Sequence, residues 1–168
     1  PMLGETFRAT MRSTGMVMLI ILAAFLMNFV IALLGIPQDI AGWVKSLGLG
    51  PTEVLWILLG IYLILGCFLE GLSMMITTIP ITAPMVVSLG VDPVWFGIFV
   101  VLVTELALIT PPVGINLYVV QGIRTDGGSF TDVIVGAIPF VATLIVFTIL
   151  MIYFPQIALW LPNRLMNA

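Results

Sequence analysis

The stretch ITPPVGIN, residues 109–116, lies inside a long apolar run. It places two adjacent prolines and a glycine where a helix that crosses a membrane should be continuous. Proline has no N–H group, so each one deprives the carbonyl four residues earlier of its helical partner. The motif therefore predicts that one helix stops in the middle of the membrane and a second helix starts. Such a break is costly unless another group compensates for it.

The composition of the chain supports a membrane setting for this break. The 168 residues are 61% hydrophobic and only 8% charged, whereas soluble domains carry about 25% charged residues. The net charge of −3 includes no basic excess, so a nucleic-acid partner is not expected. The chain has no histidine, which removes the commonest general base and the commonest transition-metal ligand. We therefore expect an all-α, polytopic membrane protein without a transition-metal site.

Charge-free runs predict the helices that cross the membrane. Residues 14–35 form 22 residues without a charge, which as a helix would measure about 33 Å and span the bilayer core. Residues 133–154 form the last such run, after a polar loop at 124–132 in which Ser129 and Asp132 fit the Ser-x-x-acid pattern of a helix start. Between them, residues 36–47 predict an interfacial helix with Trp43 at headgroup level. Asp92 and Pro93 predict another helix start, with Asp92 as its N-cap and Pro93 at the first helical position. Residues 1–13 are predicted to be a connecting segment, and we expect the chain to be the later part of a longer protein.

The middle of the chain contains two runs that are short for a full crossing. Residues 54–69 and 72–89 flank Glu70-Gly71, and the second run carries two prolines. A re-entrant helical hairpin explains this pattern better than two complete spans, although both remain open. In either case Arg8, Arg12 and Arg124 fall on one side, which the positive-inside rule predicts to be cytoplasmic.

The break itself offers oxygen atoms to a cation. Pro111 frees the carbonyl of Ala107 and Pro112 frees that of Leu108, and an unpaired carbonyl in hydrocarbon costs several kcal/mol. The first half-helix also points its negative C-terminal end at this place, and Thr110 adds a hydroxyl. A bound Na⁺ would satisfy all of these groups, whereas the simpler alternative is a proline kink satisfied by neighbouring helices and water.

The second half-helix offers a complementary anion site. It begins near Gly114, and the positive N-terminal end of a helix suits a carboxylate. We therefore predict a substrate site formed by Thr110, Pro112, Gly114 and Asn116. Broken helices of this kind carry the binding sites of secondary transporters.

The tip of the predicted hairpin could complete the cation site. Gly66 and Gly71 permit close backbone approach, and Ser73 offers an oxygen. Glu70 could be a cation ligand, a protonatable group or a hydrogen-bonded tip residue. The full set of predicted cation-binding residues is Gly66, Glu70, Ser73, Ala107, Leu108, Thr110 and Gly114.

These motifs resemble a known family, the large membrane subunits of tripartite ATP-independent periplasmic (TRAP) transporters. The resemblance covers the chain from about residue 14 to its end. It runs through the segments GCFLEG (66–71), TIPITAP (78–84), LGVDPVWFGI (89–98), TELALITPPVGINLYV (104–119) and FPQIALWLP (154–162). The family usually has Asp at the position of Glu70 and Gly at that of Ala107, so this chain departs from the pattern at both positions.

The resemblance implies a function and an architecture. It implies Na⁺-driven uptake of a small organic acid across a bacterial inner membrane, with a periplasmic substrate-binding protein and a small transmembrane subunit as partners. The chain would hold the second of two inverted repeats of an elevator-type transporter. Residues 14–51 would form a scaffold helix with the interfacial helix, residues 52–123 half of the transport domain, and residues 124–168 a loop, the last span and the tail.

Three alternatives to this function differ in chemistry. Another ion-coupled organic-anion transporter would use the same broken helix, and a passive channel would use the backbone oxygens without coupling. An intramembrane enzyme is disfavoured, because no histidine and no lysine within an apolar span is present to activate a serine.

Overall fold

The computed structural model of the protein describes residues 2–112 and 114–166, and this part of the chain is helical, without strands. The helices in chain order are α1 (Met2–Leu33), α2 (Ile36–Ser46), α3 (Pro51–Gly66), α4 (Gly71–Ser88), α5 (Pro93–Ile109), α6 (Ile115–Ile123), α7 (Phe130–Tyr153) and α8 (Gln156–Met166). The prediction of an all-α, polytopic membrane protein is confirmed. Among the described residues, three helices are long and apolar enough to cross a bilayer, namely those at Leu3–Leu33, Gly71–Ser88 and Phe130–Tyr153.

The first helix is longer than the sequence predicted. It already begins at Met2, so the described part of the predicted connecting segment 1–13 is helical and continuous with the span. No proline interrupts this segment after Pro1, and Glu5 lies in the first turn, where the helix dipole favours an acid. Gly35, at φ +71°, then ends the helix and turns the chain into α2. Trp43 of α2 is exposed, whereas Pro37 and Val44 are buried.

Helices α3 and α4 form an antiparallel hairpin. The Tyr62 hydroxyl lies 2.6 Å from Thr78 Oγ1, which links the two arms. The start of α3 at Pro51 and the turn after α4 at Asp92 line the same cavity of about 310 Å³, so the hairpin returns to the end of the molecule where it began. The two prolines of the second arm had suggested an interruption, but this prediction is wrong. Helix α4 is a single helix that contains both prolines.

Helix α5 lies at the centre of the molecule. It packs against α3, α4, α6, α7 and α8, and Phe99 and Val103 on its buried face have no exposed surface. Its start is fixed by Asp92, as the sequence predicts, because Asp92 Oδ1 accepts hydrogen bonds from the N–H groups of Val94 (2.8 Å) and Trp95 (3.0 Å). Near the end of α5, Leu106 and Ala107 are also fully buried, so this part of the helix is packed among other helices.

The break predicted from residues 109–116 is confirmed. Helix α5 ends at Ile109, and α6 begins at Ile115 after Gly114, which has φ +33°. The Pro111–Pro112 peptide bond between the two helices is cis. After α6, the turn into α7 is closed by a hydrogen bond from Ser129 N–H to Asp132 Oδ2 of 2.8 Å, the helix start that the sequence predicted.

Candidate functional site

The end of α5 satisfies some of its freed backbone groups by itself. The Thr110 hydroxyl donates to the carbonyl of Leu106 at 2.6 Å. Thr110 N–H donates to the carbonyl of Ala107 at 3.3 Å. The expectation that Pro111 leaves the Ala107 carbonyl without a partner is therefore wrong, because the N–H group one position earlier reaches it. That carbonyl keeps a second lone pair for another donor or a cation.

The carbonyl of Leu108, in contrast, has no N–H donor available within its own helix. Its two possible helical donors, three and four residues further along, would be Pro111 and Pro112, and neither has an N–H group. The carbonyl oxygens of Leu108 and Thr110 lie 3.2 Å and 3.0 Å from the position that a Cβ atom on Gly114 would occupy. Two backbone oxygens thus converge on one point at the break, and the left-handed conformation of Gly114 creates this arrangement.

The hairpin tip lies against the end of α5. A Cβ atom on Gly66 would clash with the side chain of Ala107 and would lie 3.2 Å from its Cα. A Cβ atom on Gly71 would lie 3.1 Å from Thr104 Cγ2 and 3.2 Å from Leu108 Cδ1. The two glycines that the sequence singled out are therefore the points at which the hairpin touches α5. The two irregular segments therefore meet, in agreement with the prediction from the sequence.

Glu70 caps the second arm of the hairpin. Its Oε1 accepts from Leu72 N–H at 2.9 Å, and its Oε2 accepts from both Ser73 N–H and Ser73 Oγ at 3.1 Å. Of the three roles considered for Glu70, the structure shows the hydrogen-bonded tip residue. Within the described residues, the side chains of Glu70 and Ser73 bond to each other and to the start of α4, not to the break.

The predicted cation-site residues thus fall into two groups. Gly66, Ala107, Leu108, Thr110 and Gly114 form one connected set, whereas Glu70 and Ser73 lie at the adjoining helix start. That these oxygens hold Na⁺ stays a prediction.

The predicted substrate residues lie on the other side of the break. Pro112 and Asn116 are exposed. Asn116 lines a groove of about 930 Å³ between α6 and α7. Thr110 and Gly114 belong both to the predicted substrate residues and to the predicted cation-binding residues. The C-terminal end of α5 and the N-terminal end of α6 meet here, so opposite helix-dipole charges face the same small volume.

One polar group in this region, the hydroxyl of Thr104, was not predicted from the sequence. Thr104 is only 4% exposed, and its Oγ1 has no hydrogen-bond partner among the described residues. Thr148, which is equally buried in α7, donates to the carbonyl of Leu144 at 2.8 Å. The signal was available, because Thr104 lies three and four positions before Ala107 and Leu108, on the same helix face.

One protein family and several known proteins are similar to this chain. The family described as "Tripartite ATP-independent periplasmic transporter, DctM component" matches residues 2–157. The chain is 40% identical over 152 residues to a C4-dicarboxylate TRAP transporter large permease protein of Pseudomonas aeruginosa, covering 90% of this chain and 35% of the relative. Like-named proteins of Rhodobacter capsulatus (40% identity; 90% of this chain, 34% of the relative) and Vibrio cholerae (36%; 97% and 38%) are also similar. The chain spans about a third of the length of these relatives.

Proposed function

Because this chain belongs to the DctM component family of tripartite ATP-independent periplasmic transporters, we propose that it contributes to Na⁺-coupled uptake of a small organic acid. It would form the C-terminal part of the large membrane subunit in a bacterial inner membrane. A small transmembrane subunit and a periplasmic substrate-binding protein would complete the transporter. The relatives are named permease proteins, so the chain is a transporter component and the enzyme alternative is discarded.

One observation carries the proposal: the hairpin tip lies directly on the end of α5, beside a helix break with converging oxygens. Gly66 and Gly71 are the contact points, and the carbonyls of Leu108 and Thr110 point toward Gly114. Na⁺ prefers oxygen ligands, and the negative end of α5 favours a cation. The start of α6 favours a carboxylate, which Asn116 would contact. Each bound charge would then strengthen the binding of the other, which is the basis of coupling.

The proposed movement follows from the same contacts. Residues 52–123 would move as one body, because the two hairpin helices pack on each other and on α5, and α6 also packs on α5. The long helices α1 and α7 would brace that body. The substrate is proposed to be a C4-dicarboxylate, because the three relatives above carry that name.

Reconstitution of the full transporter tests the proposal. The complete large subunit, with its small subunit and binding protein, is placed in liposomes, and uptake of labelled succinate and sialic acid is measured with and without an inward Na⁺ gradient. We expect succinate uptake that requires Na⁺. Uptake that is indifferent to Na⁺ would instead indicate a passive channel.

Gly114→Leu sharpens this test. Gly114 has φ +33°, and a side chain there would press on the carbonyls of Thr110 and Leu108, so we expect Na⁺-driven uptake to be abolished with membrane insertion intact. Gly122→Leu is the matched control, because Gly122 lies in α6 with open space around it. Normal uptake by the Gly114 variant would count against the site.

A further inference from the structure

The groove between α6 and α7 has features that the transport site does not use. Its volume of about 930 Å³ is within the range of sites that take drug-sized ligands. One end reaches Ile109 and Asn116 at the helix break, and the other end reaches Arg124 and Asp132. The wall between these ends is apolar, formed by Leu117, Val120, Val133, Phe140 and Leu144. The groove is therefore lined mainly by apolar side chains, and its charged end at Arg124 and Asp132 is called the mouth below.

The charged mouth contains both signs of charge. The Arg124 Nε and Nη2 atoms donate to the Asp126 carboxylate at 2.9 Å and 2.7 Å, and Nη1 lies 3.9 Å from Asp132 Oδ2. A guanidinium has five N–H donors, and one more contacts the carbonyl of Ser129 at 3.3 Å. Two donors thus remain for a ligand. The hydrogen bonds from Arg124 lower the pKa of Asp126 to about 2, so this carboxylate is ionised at neutral pH.

The arrangement around Arg124 is held in place from several sides. Gln121 Nε2 donates to the carbonyl of Gly128 at 2.9 Å, and the rings of Tyr118 and Phe130 stack 4.5 Å apart. The guanidinium lies so close to Gly128 that a Cβ atom there would clash with it. The mouth of the groove is therefore a defined polar corner rather than a loose loop.

The balance of charge selects among the possible ligands. One guanidinium faces two carboxylates, so the mouth repels a free organic anion or a headgroup that is only anionic. A zwitterionic headgroup matches it, because a phosphate can accept from the two remaining Arg124 donors while an ammonium beyond it contacts Asp132, which is 59% exposed. A primary ammonium can donate hydrogen bonds to a carboxylate, whereas a trimethylated one cannot.

We propose that this groove binds one phosphatidylethanolamine molecule. The headgroup lies at Arg124 and Asp132, and one acyl chain follows the apolar wall formed by Val120, Val133 and Phe140.

Native mass spectrometry of the full-length transporter tests the headgroup. The delipidated complex is titrated with phosphatidylethanolamine, phosphatidylcholine and phosphatidylglycerol of identical acyl chains. We expect phosphatidylethanolamine to bind about tenfold more tightly than the other two lipids. This ratio of dissociation constants corresponds to the free energy of one charge-assisted hydrogen bond. Asp132→Asn should remove this preference. Asp39→Asn, an acid in the first turn of α2 outside the groove, should retain it.

A second pair of variants tests the groove itself. Gly136 lines the groove and has open space at its Cβ position. The Gly136→Leu side chain would therefore fill the groove and should abolish lipid binding. Gly97→Leu, in equally open space on α5 and outside the groove lining, should leave lipid binding unchanged. Equal affinity for the three headgroups, or retention of the lipid by the Gly136 variant, would overturn the proposal and assign the groove to another part of the transporter.

Discussion

Two proline sites of this chain differ in outcome, because the helix continues through Pro139 but stops at Pro111-Pro112. Helix α7 continues through Pro139, and the Thr143 hydroxyl donates to the Pro139 carbonyl at 2.8 Å. At Pro111-Pro112 the helix stops, and Gly114 turns the chain before α6. A single proline removes one hydrogen bond, which the rest of the helix tolerates. Two prolines with a left-handed glycine remove successive bonds and redirect the backbone.

The surroundings of the two prolines differ as well. Leu106 and Ala107 near the end of α5 are buried, and the hairpin tip contacts this part of the helix through Gly66 and Gly71. Pro139 is exposed. The break is thus a product of two segments, one that interrupts a helix and one that packs against the interruption. Four variants test this conclusion.

The largest effect is expected from Gly66→Val. The new side chain would collide with Ala107 and its backbone, and overpacking of this kind costs about 1–3 kcal/mol. We expect Na⁺-driven uptake by the full transporter to fall by about tenfold or more. Gly60→Val, in open space on the same helix, controls for the loss of a helical glycine. Equal uptake by both variants would show that the contact between the tip and α5 is unimportant.

Thr110→Val is expected to have an intermediate effect. It removes the hydroxyl that donates to the Leu106 carbonyl beside the break. A hydrogen bond contributes about 0.5–1.5 kcal/mol, so the Na⁺ concentration for half-maximal uptake should rise about two- to tenfold. Thr143→Val loses the same kind of bond next to Pro139 and should leave this concentration unchanged. Thr110→Ser, which keeps a hydroxyl, should have the same half-maximal Na⁺ concentration as the unmodified protein. An equal rise in this concentration in the Thr143 variant would refute a special role for the break.

A small effect is expected from Glu70→Asp. The carboxylate caps the start of α4, and Asp92 caps the start of α5 in the same way. The shorter side chain can therefore keep the cap, and uptake should remain within about twofold, whereas Glu70→Ala loses a cap that contributes about 0.5–2 kcal/mol. An inactive Asp variant would mean that the longer side chain reaches a ligand.

The smallest effect on uptake is expected from Pro139→Ala. Proline in a helix interior is less favourable than alanine by about 3 kcal/mol, so thermal unfolding in detergent should shift to higher temperature while uptake stays unchanged. Lost uptake in this variant would make Pro139 a functional break like the one at Pro111-Pro112, and the contrast between the two sites would disappear.

Local motifs were sufficient to predict several features of the fold. The break at residues 109–116, the cap at Asp92 and the helix start at Ser129 each depend on a few neighbouring residues, and all three are confirmed. The extension of α1 and the continuity of α4 were not predicted. Pro80 and Pro84 were expected to interrupt α4 and did not, so a proline within an apolar run is by itself a weak signal for a helix break.

The sequence by itself determined that this chain is a helical membrane protein, where its central helix stops, and which residue types surround the stop. These properties follow from composition, from the missing N–H of proline and from the dihedral freedom of glycine. Only the tertiary structure decided that Gly66 meets Ala107 and that the Ala107 carbonyl is satisfied by Thr110. Contacts between distant segments depend on how whole helices pack, which no local motif specifies.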